Sequence, residues 1–375
     1  MQLRGRSHCL WIECNHHVVE IGENLFDALA EYQKLLKSQS IDDKVLLWVD
    51  ALCINQKDRA ERSAQVSIMD QIYEAATNVI VWLGQKDLAS HAAFSVIHGF
   101  GNALLATDYR FESPRAIEFN DANFFTSIGK PQPSMQQWLL IQELFMRSWF
   151  RRIWTVQETT NASGPDGTIL MLCGDQVFQW EDFFIFTSFV MTQGWFIALN
   201  SARRLKGPQS YGIRSFSIMV DAASESGWDD RHSTHGDTSL IYRLFMPHDE
   251  ASFVAARFAF LMHLGRQREA SDPRDKVFAP LKMIKQYRHL SSTFLDGFVV
   301  DYSMSVWEVF AMVTRFLILN LQNLSVLGIR ESKTQRVVSG VEGLPSWALD
   351  FTLEVALSPL LVGHDYGQAS PWQGK

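Results

Sequence analysis

The forty residues from Val45 to Gly84 constrain the fold of this chain more than any other stretch. They read VLLWVDALCINQKDRAERSAQVSIMDQIYEAATNVIVWLG. Val45 to Val49 is continuously apolar and β-prone, as expected of a strand covered on both faces. Asp58 reads as a helix N-cap, and Glu61 three residues on completes a capping-box pattern. The helix runs to about Ala76 and sets Val66, Met69, Ile72, Tyr73 and Ala76 on one face. Val79 to Leu83 is a second buried strand, ended by Gly84. The pattern is one βαβ unit with a right-handed crossover. Open α/β sheets hold ligands at the carboxyl ends of their strands, where Asp50 and the loop after it would lie.

A chain of 375 residues is long enough for two domains and a large core. With 47% hydrophobic and 20% charged residues it is globular rather than disordered. Its 12 Trp and 26 Phe suggest a large apolar surface able to seek partners. A net charge of -7 without a basic cluster argues against nucleic acid as the main partner. Four cysteines, with no CxxC pair and no disulfide-framework spacing, read as reduced thiols of a cytosolic protein. No apolar run reaches the roughly 18 residues of a membrane span, and no secretory signal is evident.

Helices are expected over 24–37, 88–105, 136–146 and, as a separate short piece entered at Ser148, 149–159. Residues 106–133 read as a long surface loop. Thr168 to Cys173 and Gln176 to Phe178 read as a hairpin around Gly174-Asp175. From Trp180 the chain is apolar and aromatic at helical spacing. Residues 222–239 are a polar loop. Helices follow near 251–264 and 273–285, the latter with Asp272 as N-cap and Pro273 at its first position. Ser305 and Glu308 form a capping box for one more helix. The reading is an α/β N-terminal domain over 1–160 and a mainly helical region over 161–375.

The run Leu47-Trp48-Val49-Asp50-Ala51-Leu52-Cys53-Ile54-Asn55-Gln56, with Glu61-Arg62, Met69, Ile72-Tyr73, Ala76 and Val81-Trp82-Leu83-Gly84, resembles the heterokaryon incompatibility (HET) domain of filamentous fungi. A second block, Ser148-Trp149-Phe150-Arg151-Arg152-Ile153-Trp154-Thr155-Val156-Gln157-Glu158, is similar as well. Looser likenesses lie at Ala270 to Ala279, at Asp301-Tyr302-Ser303 and at Leu344-Pro345-Ser346-Trp347. The family usually opens with a strand of the type Ala-Leu-Ser-Tyr-x-Trp-Gly. No such segment precedes Val45, so a TIR-like parallel sheet lacking its first strand is the fold this resemblance implies. Losing that strand would expose a sheet edge.

The resemblance also implies chemistry. HET domains are thought to be distant relatives of TIR domains, some of which hydrolyse NAD through a glutamate in a Ser-x-Trp-Cys-x-x-Glu block. Ser148 to Glu158 resembles that block with longer spacing, which makes Glu158 the candidate catalytic residue. A carboxylate beside the ribose would stabilise an oxocarbenium-like state. Trp149 or Trp154 could stack on a flat base. Asp50 could contact a ribose hydroxyl, and Asn55 or Gln56 could bind the ligand. Each has a plainer reading: Glu158 pairs with Arg151 or Arg152, Asp50 caps loop amides, and Asn55 and Gln56 hold the loop.

Other candidates carry less. Cys53 reads as a small buried thiol. His8, Cys9, Cys14, His16 and His17 match no common zinc spacing, and His232, His235 and Asp237 read as solvated surface. Glu61 is explained by capping, and Arg62 by a pair across its helix. No metal or cofactor is expected, and NAD enters only as a substrate. The resemblance implies intracellular, cytoplasmic nonself recognition that triggers programmed cell death. Two mechanisms fit: a signalling module that acts by self-association or partner binding, and a TIR-like NAD glycohydrolase using Glu158, or an inactive truncated remnant of one.

Overall fold

The computed structural model describes residues 2–6, 9–14, 16–38, 45–106, 117–160, 168–195, 198–199, 249–266, 268–284, 298–322, 326 and 341–353. The architecture is mixed α/β, mostly helical, with small sheets. The chain divides into two units that interleave in sequence. One holds Met1–Cys53, Tyr73–Arg151 and Ala162–Val220; the other holds Ile54–Ile72, Arg152–Asn161 and Asp221–Lys375.

The first unit opens with an antiparallel sheet of β1 (Gln2–Arg6), β2 (Cys9–Cys14) and β3 (His17–Ile21). Ile12 on β2 is buried, and α1 (Glu23–Ser38) packs against that strand. A second sheet has the order β4 (Asn78–Trp82), β5 (Thr168–Cys173), β6 (Gln176–Gln179). β4 and β5 are parallel, with Val79 opposite Ile169 and Val81 opposite Met171. The expected hairpin is present: β5 and β6 are antiparallel, and Gly174 turns between them at φ +55°. A Cβ on Gly174 would sit 3.0 Å from the Lys86 backbone nitrogen, so glycine answers both the left-handed conformation and the close approach.

The parallel partner of β4 differs from expectation. Val45 to Val49 forms no strand, and Leu46 is 95% exposed. The chain turns at once into α2 (Asp50–Cys53), where the amides of Leu52 and Cys53 donate to the Val49 carbonyl at 2.9 and 2.8 Å. A continuous apolar run reads as a buried strand only if both of its faces are covered, and here Val45, Leu46 and Leu47 are exposed. The parallel pair is instead closed from far along the chain, after α4 (Leu88–Ala106), α5 (Ala122–Ser127), α6 (Met135–Phe145) and α7 (Ser148–Arg151). Helix α5 lies inside the stretch read as loop, capped by Asp121 accepting from the Asn123 amide at 2.9 Å.

The first unit's core is aromatic. Phe100 meets Phe189 of α9 (Trp180–Thr192) edge-on at 5.0 Å. Phe94 and Phe183 meet at 5.4 Å. Trp138 is fully buried, and its indole N–H donates to Asn120 at 3.1 Å. The richness in Phe and Trp is thus largely an interior property among the described residues, not the surface property suggested by composition.

The second unit gathers residues 59–72 of α3 (Arg59–Ala75), α8 (Thr155–Thr160), α10 (Glu250–Gly265), α11 (Asp275–Ile284) and α12 (Val306–Leu321). Val66 and Met69 are the buried apolar residues of α3. α12 begins with the capping box expected of Ser305 and Glu308. α11 starts two residues later than its signals imply, because Asp272 bonds the Arg274 amide at 3.0 Å and builds a turn first. The block 149–159 breaks into α7 and α8, since Arg152 forms a β-bridge with Glu269 and the Ile153 amide donates to the Glu269 carbonyl at 3.0 Å. The polar loop 222–239 lies outside the described residues.

Candidate functional site

The loop after α2 holds itself together. The Asn55 amide Oδ1 accepts from the Lys57 backbone N–H at 3.2 Å. The Asn55 backbone N–H donates to Glu61 Oε1 at 2.9 Å. Asp58 Oδ1 accepts from the amides of Ala60 and Glu61 at 2.9 and 3.2 Å. Half of the expected capping box therefore forms, and the Glu61 carboxylate reaches past Asp58 to cap Asn55 instead. Asp50 Oδ1 accepts from the Ala51 amide at 2.8 Å, so it begins a helical turn rather than ending a strand. Gln56 is exposed. Cys53, expected to be buried, is an exposed free thiol, because α2 turns it outward.

The candidate site residues fall in both units. Asp50 and Trp149 belong to the first, and Asn55, Gln56, Trp154 and Glu158 to the second. Trp149 is buried, edge-on to Phe150 at 5.1 Å and to Trp180 at 6.4 Å. Glu158 is half-buried on α8, its backbone N–H bonded to the Trp154 carbonyl at 3.2 Å. Trp154 is half-buried too, and its indole donates to Asp275. Among the described residues, no group of three His, Cys, Asp or Glu could hold a metal ion. His232, His235 and Asp237 lie outside the described residues.

The most developed polar constellation centres on Arg62, which does not pair along its own helix. Its guanidinium reaches Asp272 Oδ2 at 3.2 Å and Asp275 Oδ1 at 3.5 Å. It also lies 3.7 Å from the centroid of the Tyr302 ring. Arg274 grips Asp272 with two nitrogens, Nε to Oδ1 at 2.9 Å and Nη2 to Oδ2 at 2.8 Å. The other Arg274 nitrogen donates to the carbonyls of Tyr302 and Met304, each at 2.6 Å. The Tyr302 hydroxyl donates to Asp275 Oδ1 at 2.5 Å, and the Tyr302 amide donates to Ser63 Oγ at 3.0 Å. Burial pushes the Asp275 carboxyl above its ordinary value, and bonds from Tyr302 and Trp154 only partly offset this. Burial acts on Asp272 in the same sense, but the bonds from Arg274 and the charge of Arg62 outweigh it and hold that carboxyl below its ordinary value. Burial and the Asp275 carboxylate push the Tyr302 hydroxyl far up, so it remains a donor.

A second arginine knot lies in the first unit, at the carboxyl ends of β4 and β5. Arg147 Nη1 donates to the carbonyls of Leu83 and Gln85 at 2.7 and 2.9 Å, and to Cys173 Sγ at 3.2 Å. Its Nη2 donates to Asp87 at 3.0 Å. Burial pushes the Cys173 thiol up, which keeps it protonated and inert. Neither arginine knot follows from local patterning. The clue to the Arg62 cluster is that Glu61-Arg62, Trp154, Asp272 to Asp275 and Asp301-Tyr302-Ser303 are distant segments, each singled out by its wording.

Comparison with known proteins bears on the first two of these segments. A model of the heterokaryon incompatibility protein (HET) family matches residues 5–158. Residues 5–158 are similar to a HET domain. Heterokaryon incompatibility protein 6, OR allele, of Neurospora crassa is 29% identical over 150 residues, covering 35% of this chain and 20% of that protein. The chain thus matches about a fifth of the length of this curated relative. No solved structure matches. Within the HET-matched span, residues 54–72 and 152–158 belong to the second unit, together with residues beyond the match. No helix among the described residues is long and apolar enough to cross a membrane.

Proposed function

We infer that the chain is a nonself-recognition module of heterokaryon incompatibility, promoting programmed cell death in filamentous fungi from the cytoplasm. It acts by self-association or by binding a protein partner. The observation that carries this reading is how the most specific HET block uses its polar groups. Asp50, Asn55, Asp58 and Glu61 each accept from a nearby main-chain amide, so their first duty is to shape the loop and start α3. The name of the Neurospora relative gives the biological context. Leu46 and Leu47, exposed in the same block, offer an apolar contact that a partner would cover.

The competing chemistry is NAD glycohydrolysis of TIR type through Glu158. It is tested by incubating the purified chain with NAD and following nicotinamide release, alongside Glu158→Gln and a measurement of oligomer mass. The expected outcome is association or partner capture without release. Release by the wild type that Glu158→Gln abolishes would overturn the binding-only reading.

A further inference from the structure

We propose that Arg62 is the keystone of an ionic clasp that locks residues 59–72 of α3, and α8, to residues 249–266, 268–284 and 298–304, and that these parts open and close as one cooperative unit. All of the atoms involved lie in the second unit. The clasp joins Arg62 and Ser63 on α3, Trp154 at the start of α8, Asp272 to Asp275 leading into α11, and Tyr302. The first two segments lie inside the HET match, and the last two lie beyond it. The conformation of the matched helices therefore depends on residues outside the matched span.

Three properties make the cluster a device rather than a collection of surface pairs. Charge is balanced, two guanidiniums against two carboxylates. The members interlock: Tyr302 holds Asp275 through its hydroxyl, Arg274 through its carbonyl and Ser63 through its amide, while its ring face holds Arg62. Removing any one member leaves an uncompensated charge or a broken bond at two others, so loss is cooperative. Finally, solvent access is graded. The Arg62 side chain is 23% exposed and Asp275 only 5%, so water reaches the clasp at Arg62 and opening begins there.

A second set of ties carries the opening to α8. Arg268, fully buried, donates to the Arg152 carbonyl at 2.9 Å and to Thr155 Oγ1 at 3.1 Å. Burial lowers its pKa to about 9, which leaves it charged at neutral pH. The Lys276 ammonium donates to the carbonyls of Gly265, Arg266 and Arg268. Thus the turn holding α8 and the turn carrying Asp272 are bound to the same short stretch of backbone. Balanced ion networks give little net stability over apolar packing but a steep penalty for a missing partner, which is the energetic profile of a two-state lock.

Hydrogen exchange on the full chain tests the proposal. Arg62→Met keeps a stem over the Tyr302 ring and removes the charge. It is expected to raise exchange about tenfold, together, in peptides covering 59–72, 153–160 and 298–304, with β4 and β5 unchanged. Tyr302→Phe removes one hydroxyl and serves if the first variant does not fold, with about a threefold rise expected in the same three segments. A rise confined to residues next to the substitution, or protection of α8 unchanged in the variant that folds, overturns the clasp. Neither readout involves oligomer mass or NAD, so failure here is distinct from failure of the functional reading.

Discussion

Arg147 and Arg62 both sit at the centre of a polar knot, yet they tie different things. Arg147 donates to main-chain carbonyls just past the end of β4 and to Asp87 three residues after Gly84, so it finishes a local piece of sheet. The Arg62 guanidinium donates only to side chains, and its partners lie more than two hundred residues along the chain. An arginine that caps strand ends stabilises one element. An arginine that joins side chains from separate segments makes those segments stable or unstable together. The guanidinium fork supports both uses because it presents several donors in one plane.

The comparison can be broken most forcefully at Arg274. Arg274→Met strips the two-nitrogen grip on Asp272 and frees the carbonyls of Tyr302 and Met304. A loss of about 3–5 kcal/mol is expected in denaturant unfolding. If the second unit carries the clasp as one cooperative element, the transition followed from α12 should shift together with that of α3. Arg147→Met should cost less, about 2–4 kcal/mol, because carbonyls at a partly solvated strand end regain water. Its effect should stay in the first unit, with exchange rising at β4 and β5 and not in residues 59–72.

The smallest effect is on acid. Asp272 is held below its ordinary value of 3.8, so the stability it adds is present above that pH and is lost as pH falls through the lower folded value. Asp275 is raised by burial and works in the opposite sense, since folding makes this carboxylate easier to protonate. Of the two clasp carboxylates, acid sensitivity therefore belongs to Asp272. Asp272→Asn should flatten the decline in melting temperature below about pH 4 by no more than about 3 °C, read by a melt series across pH. A steeper decline in that variant would assign the titration to another carboxylate.

What local patterning could say, it said well. Periodicity places α1, α4, α6 and α10 to within a residue or two, and the cap of Ser305 with Glu308 that starts α12 is short-range chemistry visible in four letters. Glycine and aspartate at 174 and 175 mark their hairpin for the same reason. The failures are non-local. Val45 to Val49 has the composition of a buried strand, but burial is decided by what covers it, and here little does. Arg62 sits on its helix where an intrahelical pair is plausible, and tertiary contact takes it elsewhere. Of the candidate site residues, the loop roles of Asp50 and Asn55 were open to sequence reasoning. The convergence of four distant segments, around Arg62, Trp154, Asp272 to Asp275 and Tyr302, was not.

The bond between Ser63 and Tyr302 spans 239 residues of chain. A ribosome adding about 5–20 residues per second takes roughly 12–48 s to cover that distance. During that interval α3 has left the tunnel while Asp272, Arg274 and Tyr302 are still unmade. An amphipathic helix with Val66 and Met69 facing nothing is a target for chaperones, or for another nascent chain exposing the same helix. The second unit is thus completed late, by its C-terminal half arriving to meet a helix that has been waiting, and the timing of synthesis becomes part of how this protein reaches its fold.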